Sequence, residues 1–372
     1  MKTRLQWGEP PWPRGIELSL GAASISASPD VAIIGAGLTG SSTALHLARR
    51  GIRSVVYEAG LVADGASGRT GGLVLEGTAI GPLEDATACV AGLERVVAEE
   101  RIDCDLHLPG CWEIEHHEAA SDKMLPWRDA GRPVCIARNV AGGVVQPAAL
   151  TMGLARAATR AGAIIRERAR VTRIEFEPQL TLEVGAERIT PGHVVIGTNA
   201  WINATLPDTP PLSSCLTFAC ATEPLNASII EAIGLGEGVP FYTSDMPYLW
   251  GRTVADGHVI FGAGLVFGEP NDLESTDVRE GESHSVLDRL QRRVRGLHPK
   301  LAEVRFSAAW GGPIAFSDNA VPIIGVHPRH PRVLVSGGYA GHGIALSVRA
   351  GELLALAIAD KRPLPKWGSL AR

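Results

Sequence analysis

The chain has 372 residues, 45% of them hydrophobic and 20% charged, with a formal net charge of −5. That length is enough for two packed domains. The mild acidity gives no reason to expect nucleic acid, and no apolar run reaches the roughly 18 residues of a membrane span. The six cysteines, Cys89, Cys104, Cys111, Cys135, Cys215 and Cys220, show no C-x-x-C spacing and no zinc-type pairing with histidine. They are expected to be buried, reduced thiols in a cytoplasmic protein, and no metal site is expected.

The opening MKTRLQWGEPPWPRG is proline-rich and runs into IELSLGAASISAS, which carries Glu17 and lacks the long apolar core of a secretory signal. Residues 1–28 are therefore expected to be an extension lying across the body, with Trp7 and Trp12 as anchors. VAII at 31–34 then predicts a short buried strand. It passes through Gly35, Gly37 and Gly40 into the helical stretch TGSSTALHLARRG, with Gly51 as C-cap, and a second apolar run ends on Glu58. Each glycine has a physical job there: a tight turn at Gly35, close backbone approach to a pyrophosphate at Gly37, and close helix packing at Gly40. The helix N-terminus would face the phosphates, and Glu58 would take the ribose hydroxyls and repel a 2′-phosphate, so a dinucleotide other than NADP is expected.

GASGRTGG, with Ser67, Gly68, Arg69, Thr70, Gly71 and Gly72, is dense in glycine, as a closely approaching planar ligand requires. Helical periodicity over LEDATACVAGLERVVAEERIDCDL and a strand at GCWEIEHHE make residues 81–140 look like an insertion. Next come a turn at GGVVQ, a helix from about Pro147 to Arg160, a strand pair beginning near Ile164, and the buried parallel strand HVVIG, which ends at Thr198 and Asn199. Beyond Pro207 the pattern changes to short alternating strands. Residues 281–299 form an amphipathic helix whose arginines are expected to be solvated. Near the C-terminus, Gly337, Gly338, Gly341 and Gly343 crowd a strand-to-helix junction around Tyr339 and His342. A second helix N-terminus suggests a ligand that develops negative charge away from its pyrophosphate, as a flavin does on reduction.

The blocks VAIIGAGLTG with Glu58, GASGRTGG, VVQPAALTMGLARAA, VTRIE, VVIGTNAW, WGGPIAFSDNAVPIIG and GGYAGHGIALS occur over roughly residues 30–355. In that order the chain resembles the FAD-dependent amine and amino-acid oxidoreductases of the D-amino-acid oxidase superfamily, and GASGRTGG is most similar to the gamma-glutamylputrescine oxidoreductase branch. The resemblance implies an α/β fold: a Rossmann-like FAD-binding domain (29–80, 141–205 and 310–372) and a second, mainly antiparallel β-sheet substrate domain (81–140 and 206–309). It implies cofactor contacts from Gly35, Gly37, Leu38, Thr39, Gly40, Glu58 and Ala59, from residues 67–72, and from Thr198, Asn199 and Trp201. Val171 would meet the adenine with its backbone. Gly338, Gly341, His342, Gly343 and Ile344 would bring the last helix to the flavin ring.

No cysteine lies between Trp310 and Ile324, so the FAD is expected to be non-covalent. The strand HVIFGAGLVFGE lacks the lysine that sarcosine-type oxidases use toward oxygen, which leaves O2 or another electron acceptor open. The last helix lacks their basic carboxylate partner, which makes Arg252 the candidate clamp. Asp245 is the candidate for a substrate ammonium, Tyr242, Tyr248 and Trp250 are candidates for an aromatic wall or else for core packing, and His342 is expected near the ring. The activity implied is oxidation of an amine or amino-acid C–N bond to an imine by hydride transfer to flavin N5. A 2-hydroxy-acid or alcohol dehydrogenase and a non-catalytic FAD-bound subunit are the alternatives.

Overall fold

The computed structural model describes residues 6–14, 28–117, 123–244 and 248–370. One sheet has six strands in the order Ile323–His327, His330–Gly337, His193–Ile196, Val31–Ile34, Ser54–Tyr57 and Ile164–Arg166. The first two form an antiparallel hairpin and every other pairing is parallel. A parallel sheet is buried on both faces, which is why VAII, SVVY and HVVI read as unbroken apolar runs. Alternation divides them. Val31 and Ile33 pack toward the helices Leu38–Ala48, Pro147–Arg160 and Gly343–Ala359, while Ala32 and Ile34 pack toward the three-stranded sheet of Val171–Glu175, Thr181–Val184 and Glu187–Ile189.

The second large sheet has eight strands: Phe306–Phe316, Ser213–Thr222, Val259–Phe267, Trp250–Thr253, Phe241–Thr243, Cys111–His116, Arg132–Val140 and Met124–Asp129. Only the pairing of Phe241–Thr243 with Cys111–His116 is parallel. The helix Gly281–Leu297 lays Leu290, Val294 and Leu297 on it. One of its arginines is not simply solvated: Arg293 reaches Asp129 with two bonds of 2.8 and 2.5 Å and donates to the Tyr248 carbonyl at 3.1 Å.

Three local expectations differ from what is observed. Ile164–Arg166 and Val171–Glu175 are not paired with each other: the first extends the parallel sheet beside Ser54–Tyr57, and the chain turns at Arg168, at φ 53°, into the three-stranded sheet. Gly142–Val144 is not a turn but a strand, paired with Leu73–Leu75. The boundary drawn at residue 310 falls inside the strand Phe306–Phe316, which pairs along its whole length with Ser213–Thr222.

Residues 6–14 are seated on the edge of the eight-stranded sheet. Gly8 bridges to Trp310, Gly311 N donates to Trp7 O at 2.7 Å, and the fully buried Trp7 indole donates to Leu273 O at 2.6 Å. The Trp12 indole donates to Gly68 O at 2.9 Å and meets Trp310 edge-on at 5.5 Å. The segment therefore covers a strand edge that would otherwise be open, and both tryptophans anchor it.

Candidate active site

A cavity of about 400 Å³ lies between the eight-stranded sheet and the loops that follow strands of the parallel sheet, and the N-termini of two helices open onto it. At one, Gly37, Leu38 and Thr39 begin the helix Leu38–Ala48; at the other, Gly341, His342 and Gly343 lead into the helix Gly343–Ala359. Two positive dipole ends on one cavity suit a ligand with negative charge at two places. The first helix is tied to the strand and turn before the second by buried hydroxyls: Tyr339 OH lies 2.8 Å from both Thr39 Oγ1 and Ser336 Oγ.

The phosphate-side turn has the shape that its glycines imply. A Cβ on Gly40 would stand 1.9 Å from Gly35 O, so only glycine lets this helix sit on the strand turn. A Cβ on Gly37 would stand 2.8 Å from Ser67 Oγ, which accepts from Leu38 N at 3.1 Å. Glu58 accepts from Ala36 N and Gly60 N, each at 2.8 Å. Burial nevertheless pushes its carboxyl above the usual range, since desolvation outweighs the two amide bonds.

The glycine-dense loop supplies the next wall, through Ala66, Ser67, Arg69, Thr70 and Gly71. A Cβ on Gly71 would lie 2.1 Å from the Trp250 ring, so the indole rests directly on this glycine. Arg69 borders the cavity, but its guanidinium bonds elsewhere: to Asp64 O at 3.1 Å, to Gly8 O at 2.8 Å and, at 3.4 Å, to Gly311 O. It ties the loop to the N-terminal segment and to the edge strand.

The eight-stranded sheet closes the cavity with Thr217, Phe218, Ala219, Tyr242, Thr243, Tyr248, Leu249, Trp250, Leu265, Trp310 and residues 312–316. Tyr248 OH is held between Thr217 Oγ1 at 2.5 Å and Gly264 O at 3.0 Å, and burial pushes its phenol up to about 12. Tyr242 OH donates to Glu113 at 2.9 Å, and Glu113 in turn pairs with Arg138 at 2.6 Å. Burial lowers the His342 imidazole, whose Nδ1 is buried without a partner, so the ring is neutral at neutral pH.

The cavity thus gathers Gly37, Leu38, Thr39, Ser67, Arg69, Thr70, Gly71, Asn199, Tyr248, Gly341, His342, Gly343 and Ile344 from the expected set. Gly35, Gly40, Gly68, Gly72 and Gly338 stand behind it as close-packing positions, and Gly338 N donates to Asn199 Oδ1 at 2.9 Å. Glu58, exposed Ala59, Thr198 and Val171 lie beyond its wall. Trp201 instead stacks obliquely on Trp7 at 6.0 Å, because the N-terminal segment occupies that side. Asp245 lies outside the described residues.

Arg252 is a correction. It does not line the cavity; it is 4% exposed and donates through Nε to Gly71 O at 2.6 Å. Its Nε is engaged by the loop backbone rather than presented to the cavity. Sequence reading missed Thr217, Phe218 and Leu265, whose strands read as alternating but whose cavity-facing side is set by register. It also missed the convergence of Glu115, His117 and Cys135 on adjacent strands, where donor atoms come within 4.8 Å. Glu115 is exposed there, and burial raises the Cys135 thiol, which keeps it protonated.

These features suit a dinucleotide-binding protein, and comparison specifies its class. The family model described as FAD dependent oxidoreductase matches residues 30–357, and the chain belongs to that family. It is 26% identical to gamma-glutamylputrescine oxidoreductase of Escherichia coli K12, over 88% of this chain and 82% of that protein. It is 24% identical to glycine oxidase of Bacillus licheniformis, over 91% of this chain and 95% of that one. The crystal structure of glycine oxidase from Geobacillus kaustophilus superimposes with a TM-score of 0.75 at 19% identity, covering 93% of this chain and 99% of that chain, which shows a shared fold. The protein is therefore an FAD-dependent enzyme, and the glycine cradle and the two helix N-termini fit that cofactor. None of the six cysteines lines the cavity, although all are buried.

Proposed function

We propose that the enzyme oxidises the C–N bond of an amine that carries no carboxylate beside the reacting nitrogen. Bound FAD supplies a two-electron acceptor for a hydride from the carbon next to nitrogen. The observation that carries the substrate reading is the wall contributed by the eight-stranded sheet. Among the described residues it presents rings, hydroxyls and aliphatic groups to the cavity and no lysine or arginine. The adjoining residues 245–247 read Asp-Met-Pro, so the sequence adds no cation there.

Trp250, Tyr242, Tyr248 and Phe218 receive the substrate's apolar part and orient it. Tyr248 is fixed by Thr217 and Gly264, so the wall is preformed. An apolar enclosure disfavours the charged ammonium and so presents the neutral nitrogen that oxidation requires. The neutral His342 imidazole borders the same space without adding charge. FAD is held without a covalent bond in this reading, and the electron acceptor is O2 or another oxidant. The E. coli relative is named for an amine substrate and the glycine oxidases for an amino acid, and the cation-free wall favours the first.

The test is an anaerobic titration of the FAD-loaded enzyme, reading the absorbance of oxidised flavin. The panel holds primary and N-methyl amines, polyamines, D- and L-amino acids and 2-hydroxy acids. Bleaching by carboxylate-free amines at far lower concentration than by their α-carboxylated counterparts is expected. Bleaching only by α-amino acids or hydroxy acids refutes the assignment. Admission of air afterwards separates an oxidase, which recolours promptly, from a dehydrogenase, which stays reduced.

A further inference from the structure

We propose that Arg252 is a positioning residue for the cofactor: its buried guanidinium, held between the Trp12 ring and the Gly71 carbonyl, makes the bound flavin easier to reduce. The inference rests on FAD lying in the cavity and is independent of the substrate.

The guanidinium has an unusual environment. Its Nε donates to Gly71 O at 2.6 Å, and its central carbon lies 5.7 Å from the centroid of the Trp12 ring. Its Nη2 is buried without a hydrogen-bond partner, and a Cβ on Gly72 would come within 3.0 Å of it. Among the described residues no carboxylate forms an ion pair with it, although Asp105 and Asp256 exert an attraction at longer range. Burial brings the group down to about 10, which still leaves it charged at neutral pH.

A buried cation without a paired anion is costly, and an apolar side chain of the same length would fill the space at less expense. Packing alone therefore does not explain an arginine here. The electrostatic placement does: Gly71 lines the cavity and Arg252 does not, so the charge stands one peptide plane behind the cavity wall. Its hydrogen bond polarises the Gly71–Gly72 peptide, and in this water-poor region the field of the cation reaches across it. Electrons added to a ligand against Gly71 would be stabilised with no charge inside the substrate space. Among the described residues, the part of the cavity wall that the eight-stranded sheet contributes holds no lysine or arginine.

Trp12 completes the arrangement. Its indole nitrogen bonds to Gly68 O in the same loop, and its ring faces the guanidinium. The N-terminal segment is thereby coupled to the charge behind the flavin loop.

The experiment uses the full chain loaded with FAD. The reduction potential is measured by dye equilibration and the affinity for sulfite, an anionic probe of flavin electrophilicity, by absorbance. Neither readout needs a substrate, so failure of the amine assignment leaves both intact. Wild type is expected to form a sulfite adduct and to have a potential above that of free FAD. Arg252→Met and Arg252→Gln should weaken sulfite binding by about tenfold or more and lower the potential, whereas Arg252→Lys should stay close to wild type. Trp12→Leu should move both readouts partway. Either neutral variant matching wild type in both measurements overturns the proposal. If neither retains flavin, wild type decides: a potential at or below that of free FAD, or no sulfite adduct, overturns it equally.

Discussion

Gly71 and Gly37 look alike in sequence but have different neighbours. At Gly71 the position of a Cβ is filled by the Trp250 indole, with ring atoms at 2.1 and 2.2 Å, and that ring belongs to the sheet strand Trp250–Thr253. At Gly37 the obstacle is one serine hydroxyl at 2.8 Å, which can rotate away at the cost of its bond from Leu38 N. Gly71→Ala is therefore expected to displace the indole, cost about 1–3 kcal/mol of stability and abolish flavin retention. Gly37→Ala is expected to keep flavin with weakened affinity. Equilibrium dialysis against FAD with a denaturant melt checks both, and equal behaviour of the two variants would refute the contrast. The glycines were legible because their spacing after an apolar strand is a local pattern. The role of Arg252 was not, since its partner is a carbonyl 181 residues away and nothing near it in sequence points there.

Among the elements, the packing of the opening helix Leu38–Ala48 against the closing helix Gly343–Ala359 governs the site, because it fixes both N-termini. Gly351 lets them approach, since a Cβ there would stand 2.6 Å from Ser42 Cβ, and Ser42 Oγ donates to Val348 O at 2.7 Å. His46 lies at the same interface, 5% exposed, with Nε2 lacking a partner. Burial holds its imidazole down to about 4, with Arg49, Arg50 and Arg95 opposing its charge and Glu352 favouring it. Its folded value is thus below the unfolded value near 6.5, and the unfolded chain takes up the proton first. The stability it confers is whole above about pH 6.5 and is lost as pH falls toward 4. His46→Gln should flatten the acid side of a stability-against-pH curve across that window, as followed by urea melts. An unchanged slope would remove His46 as its source. Helix boundaries were readable here: Pro147–Arg160 falls where the apolar spacing and N-terminal proline put it. The pairing of Ile164–Arg166 was misjudged because a three-residue strand carries no record of its neighbour.

Over the whole molecule, the cavity is built jointly by the loops and helix N-termini that follow the parallel strands and by the antiparallel sheet, so a ligand that fills it would bind to an arrangement of both rather than to a self-contained half. At free FAD about 100-fold above its Kd the folded state should gain about 2.7 kcal/mol. Calorimetry is expected to show one transition that moves upward by a few degrees on loading; two transitions, with only one responding, would contradict the joint construction. The nucleotide half was legible because its contacts are short range along the chain: strand, glycine turn, helix, acid. The substrate half was legible only as alternating strands. Which face of Ser213–Thr222 or Val259–Phe267 meets the cavity depends on register with Phe306–Phe316, and register is a property of pairs.

The rung between Gly8 and Trp310 also orders events at the ribosome. Gly8 emerges before the strand edge that receives it, which follows some 300 residues later; at about 5–20 residues per second that interval is on the order of 15–60 s. Until then the Gly68–Gly72 loop lacks the Trp310 indole that donates to Arg69 O and the Gly311 carbonyl that accepts from Arg69. The newborn chain thus keeps this part of its cofactor loop unbraced until Trp310 has been made, and a segment made some 300 residues earlier is fastened only then.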